Sequence, residues 1–272
     1  MLYRSHIPSA PLGHFVERFW FHSGAPSDVR ARILPSGTIE LVINLSDDEI
    51  RFFDPSQSDE PLRFTGAVVS GAYGRYIDPQ VHDSVLGVHF KPGGATPFLG
   101  VPAGELADSH VELESLWGPA AGELRSRIYE AATPEAKFAL LEAALLARLH
   151  RAPERHPAVP AALKALALPD EAVRVREVAR DLGLCQRRFI QVFTSSVGLT
   201  PKRYQRVCRF HRARELVRHT VSPDWARVAA ECGYFDQSHL IRDFRQFTGF
   251  SPGEFNRAQS ERLLSSHVVQ IP

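Results

Sequence analysis

The stretch Trp225-Ala-Arg-Val-Ala-Ala-Glu-Cys-Gly-Tyr-Phe-Asp-Gln-Ser-His-Leu-Ile-Arg-Asp-Phe-Arg-Gln-Phe-Thr-Gly-Phe-Ser-Pro-Gly-Glu-Phe255 decides the fold. Val228, Ala229 and Cys232 follow Trp225 at i+3, i+4 and i+7, which places one apolar stripe on a short helix. Gly233 comes next, where a left-handed C-terminal cap belongs. Asp236 then stands at the N-cap of a second helix, whose apolar positions are Leu240, Phe244 and Phe247. Gly249 closes that helix, and Ser251-Pro252 supplies an N-cap followed by Pro at the first position of a third. A helix, a tight glycine turn and a second helix make one helix-turn-helix unit.

The pattern also stands fifty residues upstream. Val175, Val178, Ala179 and Leu182 precede Gly183-Leu184, Phe189 and Phe193 follow, and Gly198-Leu199-Thr200-Pro201 ends the copy. The offset is 50 from Ala179 to Ala229 and from Gly183 to Gly233, and 51 from Phe189 to Leu240 and from Gly198 to Gly249. One residue is therefore inserted in the second turn.

The repeat resembles the C-terminal domain of the AraC/XylS family of bacterial transcription regulators. Gly233-Tyr-Phe-Asp-Gln-Ser-His-Leu240, Arg242-Asp-Phe-Arg245 and Phe247-Thr-Gly-Phe-Ser-Pro252 carry most of the likeness, which covers roughly residues 172–257. Cys185 and Tyr234 depart from the usual Ser and Phe. The resemblance implies a seven-helix domain with two helix-turn-helix units joined by a long helix, reading two successive major-groove segments of double-stranded DNA. It further implies RNA polymerase as a partner, a small-molecule effector and a homodimer.

Helical angles name the DNA-facing residues. With Phe189, Val192 and Phe193 inward, Arg187, Gln191 and Thr194 point outward, and Arg188 lies on the flank. With Leu240, Phe244 and Phe247 inward, Ser238, Arg242 and Arg245 point outward, and Gln237 is exposed at the N-terminal end. Arg187, Gln191, Thr194, Gln237, Ser238 and Arg242 are the expected base contacts, since Arg and Gln can each grip a purine edge with two hydrogen bonds. Arg188, Lys202, Arg203, Arg206 and Arg245 are the expected phosphate contacts, which position without specifying sequence. The segment Pro201–His219 reads as one connecting helix.

Charge is distributed accordingly. The chain of 272 residues has a formal net charge of +1, yet residues 170–272 hold 17 Arg and Lys against 11 Asp and Glu, leaving residues 1–169 acidic. A polyanion-binding domain joined to a non-binding one has this asymmetry. At 44% hydrophobic and 23% charged residues the composition is globular and long enough for two domains. No apolar run approaches the roughly 18 residues of a membrane span, so a soluble, cytoplasmic protein is expected. Three widely spaced cysteines, Cys185, Cys208 and Cys232, suit a reducing compartment rather than a disulfide framework. A redox-sensing Cys185 at a helix N-terminus lacks a resolving partner.

The fold class expected is α+β: an N-terminal β-rich domain over 1–150 with helices at 119–150, a linker over 151–169, and the DNA-binding domain over 170–262. Leu12, Phe15, Val16 and Phe19 have helical spacing, leading into a strand at Trp20-Phe21. Strand-like runs cover 39–45, 50–53, 62–70 and 84–90, with helices at 94–100, 119–131 and 134–149. Arg151-Ala-Pro-Glu-Arg-His-Pro-Ala-Val-Pro160 reads as the linker. Leu34-Pro-Ser-Gly-Thr-Ile-Glu-Leu-Val-Ile-Asn-Leu45 and Gly87-Val-His-Phe-Lys-Pro-Gly-Gly-Ala95 resemble the sensory domains that precede this DNA-binding module, which implies a cupin-like β-barrel fragment. Trp20, Glu40, Arg75, Tyr76 and His89 are the candidate effector pocket. His82-Asp83 with His89 and Glu40 could be drawn as a metal site, but the His-x-His pair of metal cupins is missing. No cofactor and no catalytic group is expected; a metal-dependent cupin enzyme fused to a DNA-binding module is the alternative. The apolar helix Phe138, Leu141, Leu145, Leu149 is wide enough to pack on a partner subunit or on its own barrel.

Overall fold

A computed structural model describes residues 2–25, 30–53, 60–149, 156–168, 174–218, 220, 222–261 and 268–270, with side chains described up to 257. Strands come first: β1 (Leu2–His6), β2 (Val16–Ser23), β3 (Ala31–Ile33), β4 (Glu40–Asn44), β5 (Glu49–Phe53), β6 (Leu62–Thr65), β7 (Ala67–Ser70), β8 (Asp78–Pro79) and β9 (Val85–Phe90). Helix α1 (Thr96–Leu99), strand β10 (His110–Glu112), and helices α2 (Leu113–Trp117), α3 (Ala120–Glu130) and α4 (Pro134–Leu149) complete the first half. Seven helices follow among the described residues: α5 (Ala158–Leu166), α6 (Val175–Asp181), α7 (Gln186–Val197), α8 (Pro201–Val217), α9 (Trp225–Glu231), α10 (Gln237–Thr248) and α11 (Pro252–Glu261). A last strand, β11 (Val268–Gln270), returns to pair antiparallel with β3.

The α+β class and the order of strands before helices hold. The large sheet runs β1-β2-β9-β4-β7-β10, and a small sheet runs β6-β5-β8. Val68 on the large sheet packs on Ile50 and Phe52 of the small one, with Val42, Phe64 and Ile77 around them. The sheets face one another without closing: among the described residues β1 and β10 remain the two edges of the large sheet, so the expected barrel is an open one.

Local chemistry explains the departures from expectation. Leu12, Phe15 and Val16 form a 3-10 turn and the start of β2 instead of a helix. The run 62–70 splits at Gly66, where a Cβ would lie 2.6 Å from the Arg125 side chain; that guanidinium donates to the carbonyls of Asn44 and Asp47 and pairs with Asp48 at 2.6 Å. Gly87 allows the Trp20 indole to lie flat on β9, since a Cβ there would come within 2.3 Å of the ring. Phe138, Leu141 and Leu145 of α4 are buried within their own domain, which accounts for much of that helix's apolar face without a second subunit.

Part of the stretch expected as a linker is helix α5, whose Val159, Ala162 and Leu166 are buried at i, i+3 and i+7 in the common core. Residues 151–155 and 169 of that stretch lie outside the described residues. The apolar core is continuous, running from Leu12 and Phe19 under the large sheet to Phe244 and Phe255 in the last helices.

Candidate nucleic-acid interface

Each half of the second unit is fixed by a cap. Asp224 accepts from the N–H groups of Ala226 and Arg227 at 3.0 and 3.2 Å and so starts α9. Gly233, with φ of 75°, ends it, and Tyr234 N–H turns back to the Ala229 carbonyl at 2.9 Å. Asp236 accepts from His239 N–H at 2.6 Å, which starts α10. Ser251 and Glu254 form a reciprocal capping box at the head of α11, with Ser251 N–H to Glu254 Oε2 at 2.7 Å. Those hydrogen bonds hold the Glu254 carboxyl below its ordinary range. The first unit is built alike: Gly183 has φ of 69°, Leu184 N–H reaches the Ala179 carbonyl at 2.9 Å, and Thr200 accepts from Arg203 N–H at 3.4 Å to start α8. Cys185 occupies the N-cap of α7 without a side-chain hydrogen bond.

Aromatic packing sets which face of each recognition helix points out. Phe210 of α8 meets Phe244 and Phe247 of α10 edge to face, at 5.0 and 5.2 Å between centroids. With Leu240 also buried, Gln237, Ser238, Arg242 and Arg245 are left exposed. On α7, Phe189, Val192 and Phe193 are buried, and Arg187, Arg188 and Gln191 are exposed, with Arg188 donating to Gln191 Oε1 at 3.0 Å. Thr194 does not share that face. Its methyl lies against the turn Ala103–Leu106 of the N-terminal half, so close that a Cβ on Gly104 would be 3.1 Å away, and its hydroxyl is buried. The first half of α7 is open, and its second half is covered.

The basic residues of α8 fall into two groups. Lys202 is exposed. Arg203 pairs with Asp108 of the N-terminal half at 2.5 Å, and Arg206 pairs at 2.5 Å with Asp243, a carboxylate buried on the inner face of α10, and at 2.7 Å with Gln246. Arg209 donates to the Gly233 carbonyl at 3.2 Å and stacks on Tyr234 at 5.3 Å. Burial pushes the Tyr234 phenol upward, and the nearby Asp243 adds to this. These contacts fix the turn and α10 against α8.

Further contacts tie the two halves of the chain together. Arg32 of β3 forms a two-pronged pair with Asp78 at 2.8 and 2.7 Å, stacks on Tyr76 at 3.9 Å, and donates to the Thr248 carbonyl at the end of α10 at 2.9 Å. Gln246 donates to the Gly74 carbonyl at 3.3 Å, and His211 Nε2 donates to the Pro35 carbonyl at 2.6 Å. Local sequence patterns gave no sign of Arg32, Asp78, Asp108 or Gln246, because their partners stand tens to hundreds of residues away.

The five residues expected to line one effector pocket are not together. Glu40 and His89 are cross-strand neighbours on β4 and β9, in hydrogen-bond contact, with Glu17 3.5 Å from His89 Nε2. Burial opposes the imidazolium of His89, but the two carboxylates outweigh it, and its pKa stands above the ordinary value. Trp20 packs over Gly87 and stacks on His22. Arg75 and Tyr76 instead line a separate cavity of about 190 Å³ with Phe52, Phe64, Tyr73, Asp108 and His110. His82 lies apart from His89, held by Asn44 at 3.0 Å and Asp47 at 3.4 Å. Among the described residues no three His, Cys, Asp or Glu side chains gather closely enough to hold a metal ion. A larger cleft of about 470 Å³ lies where Phe98, Leu99, Trp117 and Arg148 meet Ser195 and Ser196 at the end of α7.

Comparison with known proteins agrees with the helix-turn-helix geometry. Residues 178–258 match a helix-turn-helix domain model, and residues 4–112 match a domain of unknown function, DUF6597. The HTH-type transcriptional activator RhaS of Escherichia fergusonii is 32% identical over 93 residues, 34% of this chain and 33% of its own. The HTH-type transcriptional regulator GbdR of Pseudomonas aeruginosa is 27% identical over 103 residues, 38% of this chain and 27% of its own. The chain thus spans about a third of the length of the curated relatives it matches. Among solved structures, ToxT of Vibrio cholerae aligns over 88% of this chain and 98% of its own at 10% identity, with a TM-score of 0.48. With these sequence matches falling on the two capped units described above, residues 178–258 are an AraC-type helix-turn-helix domain, preceded at residues 4–112 by a DUF6597 domain.

Proposed function

We propose that the protein is a sequence-specific DNA-binding transcription regulator that lays α7 and α10 into two successive major-groove segments of double-stranded DNA. The observation that carries this is the pair of recognition helices, each with an aromatic inner face and an exposed face of Arg and Gln, joined on α10 by Ser238, held at fixed rotation by α8. Arg187, Gln191, Gln237, Ser238 and Arg242 are the base readers. Arg188, Lys202 and Arg245 touch phosphate, and Arg203 and Arg206 join them only where their internal ion pairs open. Thr194 reaches DNA only if the N-terminal half moves off α7. The 17 residues of α8 make a rod of about 25 Å, against roughly 34 Å between successive major-groove faces.

Residues 1–150 act as the sensory and dimerisation part, with 170–262 as the DNA-binding part and the stretch between them containing the first helix of the latter. The cleft at Ser195 and Ser196 and the cavity at Arg75 and Tyr76 both border the contact between the halves, which favours a small-molecule effector as the input. The protein acts in the cytoplasm, as a homodimer and with RNA polymerase as partner, and performs no catalysis. Among the described residues no helix is long and apolar enough to cross a membrane.

The test is binding of the purified chain to DNA upstream of its own and neighbouring genes, against random DNA and at several salt concentrations. Arg187→Ala and Arg242→Ala are each expected to weaken specific binding by about tenfold and to leave binding to random DNA nearly unchanged. Equal affinity for all DNA, with both variants neutral, refutes the assignment.

A further inference from the structure

The two units differ by one residue, and the structure identifies it. Leu184 and Tyr234 are equivalent, since each sends its N–H to the alanine carbonyl five residues back, at 2.9 Å in both. Cys185 and Asp236 are equivalent as N-caps of the recognition helices. Between Leu184 and Cys185 there is nothing; between Tyr234 and Asp236 stands Phe235. It is 84% exposed, the most exposed of the large apolar side chains described. Its neighbours explain why it cannot turn inward. Tyr234 already fills the core position of the turn at 3% exposure, and Asp236 must face the end of α10 to accept from His239 N–H.

Single exposed apolar residues are common on protein surfaces, but the placement here is particular. Phe235 precedes the N-cap of α10 and is followed directly by exposed Gln237 and Ser238, at the end of a recognition helix that enters the groove first. An aromatic ring there cannot hydrogen-bond to a base edge. The apolar feature that the major groove offers is the C5 methyl of thymine, which distinguishes T from C and from the other strand's purine.

We propose that Phe235 is a specificity-determining residue that packs against a thymine methyl group beside the bases read by Gln237, Ser238 and Arg242. This rests on the proposed DNA-binding function, and it predicts a thymine preference in the half-site of the second unit with no counterpart in that of the first.

The experiment uses the full chain and a DNA fragment selected by it from a random pool. Each thymine in the fragment is replaced in turn by deoxyuridine, which removes only the methyl, and binding is measured for the natural chain, Phe235→Ala, Phe235→Leu and Arg242→Ala. One deoxyuridine position in the second half-site is expected to weaken binding by the natural chain about fourfold, the value of one buried methyl group, and to have no effect on Phe235→Ala. Phe235→Ala itself is expected to lose at least that much on the thymine fragment, with Phe235→Leu between the two. Its thermal midpoint should match that of the natural chain, because the side chain is largely exposed and outside the buried core. If Phe235→Ala binds as the natural chain does while Arg242→Ala is weakened, the thymine contact is wrong and DNA reading by α10 stands. If the pool yields no preferred fragment, both fall.

Discussion

Replacing Arg32 by Ala tests whether the two halves of the chain are held as the geometry indicates. The Arg32 and Asp78 side chains are only 12% and 8% exposed, and they share two hydrogen bonds below 3 Å. Removing one partner of a buried pair leaves the other charge uncompensated, which costs about 3–5 kcal/mol. The lost hydrogen bond to the Thr248 carbonyl and the lost stacking on Tyr76 act in the same direction. Removing both charges with Arg32→Ala/Asp78→Ala leaves no stranded carboxylate, so the double variant should be less unstable than the two single effects together, by about 1–3 kcal/mol. Urea unfolding of the natural chain, both single variants and the double variant gives the full cycle. Limited proteolysis adds a local readout, since Arg32 joins β3 to the end of α10 and its loss should expose the connection near Thr248 before the core opens. A single-variant cost below about 1 kcal/mol, or strictly additive effects, would refute the buried-pair account.

A backbone approach gives a second prediction. A Cβ on Gly71 would lie 1.6 Å from the Leu106 carbonyl oxygen, and neither backbone can yield easily, so Gly71→Ala should destabilise by about 1–3 kcal/mol; a thermal midpoint equal to that of the natural chain would show that the turn after β7 relaxes. The third concerns pH. The folded-state pKa of His89 is raised above 6.5, so its pairing with Glu40 contributes fully below about pH 6.5 and fades as pH climbs through the folded value. The stability gap between the natural chain and His89→Gln should therefore be wider at about pH 6 than in alkaline solution above the folded value. His22 and His82 are shifted down by burial; their neutral forms contribute at higher pH and that contribution is lost as pH falls, which the paired comparison cancels. A gap that widens with pH would contradict the ion pair.

The second half of the fold was legible because its signals are local. Glycines with φ of 69° and 75° stand where the periodic apolar residues stop, and Thr200, Asp236 and Ser251 each cap the helix that follows. Helix α5 was hidden by Pro157 and Pro160, which read as linker; both stand at its N-terminal end, where proline is tolerated, while Val159, Ala162 and Leu166 carried the apolar spacing. Strand β1 gave no alternation because all five of its residues are exposed at the edge of the sheet. For the interface, the inner and outer faces of α7 and α10 followed from 100° steps, but the cover over Thr194 and the partners of Arg203 and Arg206 depend on chain segments far away in sequence.

The two internal ion pairs of α8 bear on how the protein should respond to ionic strength. Each phosphate neutralised by a cationic side chain releases condensed counterions and steepens the fall of log K with log salt by about 0.9. Arg203 and Arg206 already face Asp108 and Asp243, so in this arrangement neither would displace an ion from DNA. The slope should fall short by about 1.8 of that expected if Arg188, Lys202, Arg203, Arg206 and Arg245 all neutralised phosphates. Arg203 differs from Arg206 in one respect: its acid belongs to the other half of the chain. Any event that draws the halves apart would hand that cation to the phosphate backbone, so the salt slope itself becomes a gauge of how tightly the N-terminal half is docked.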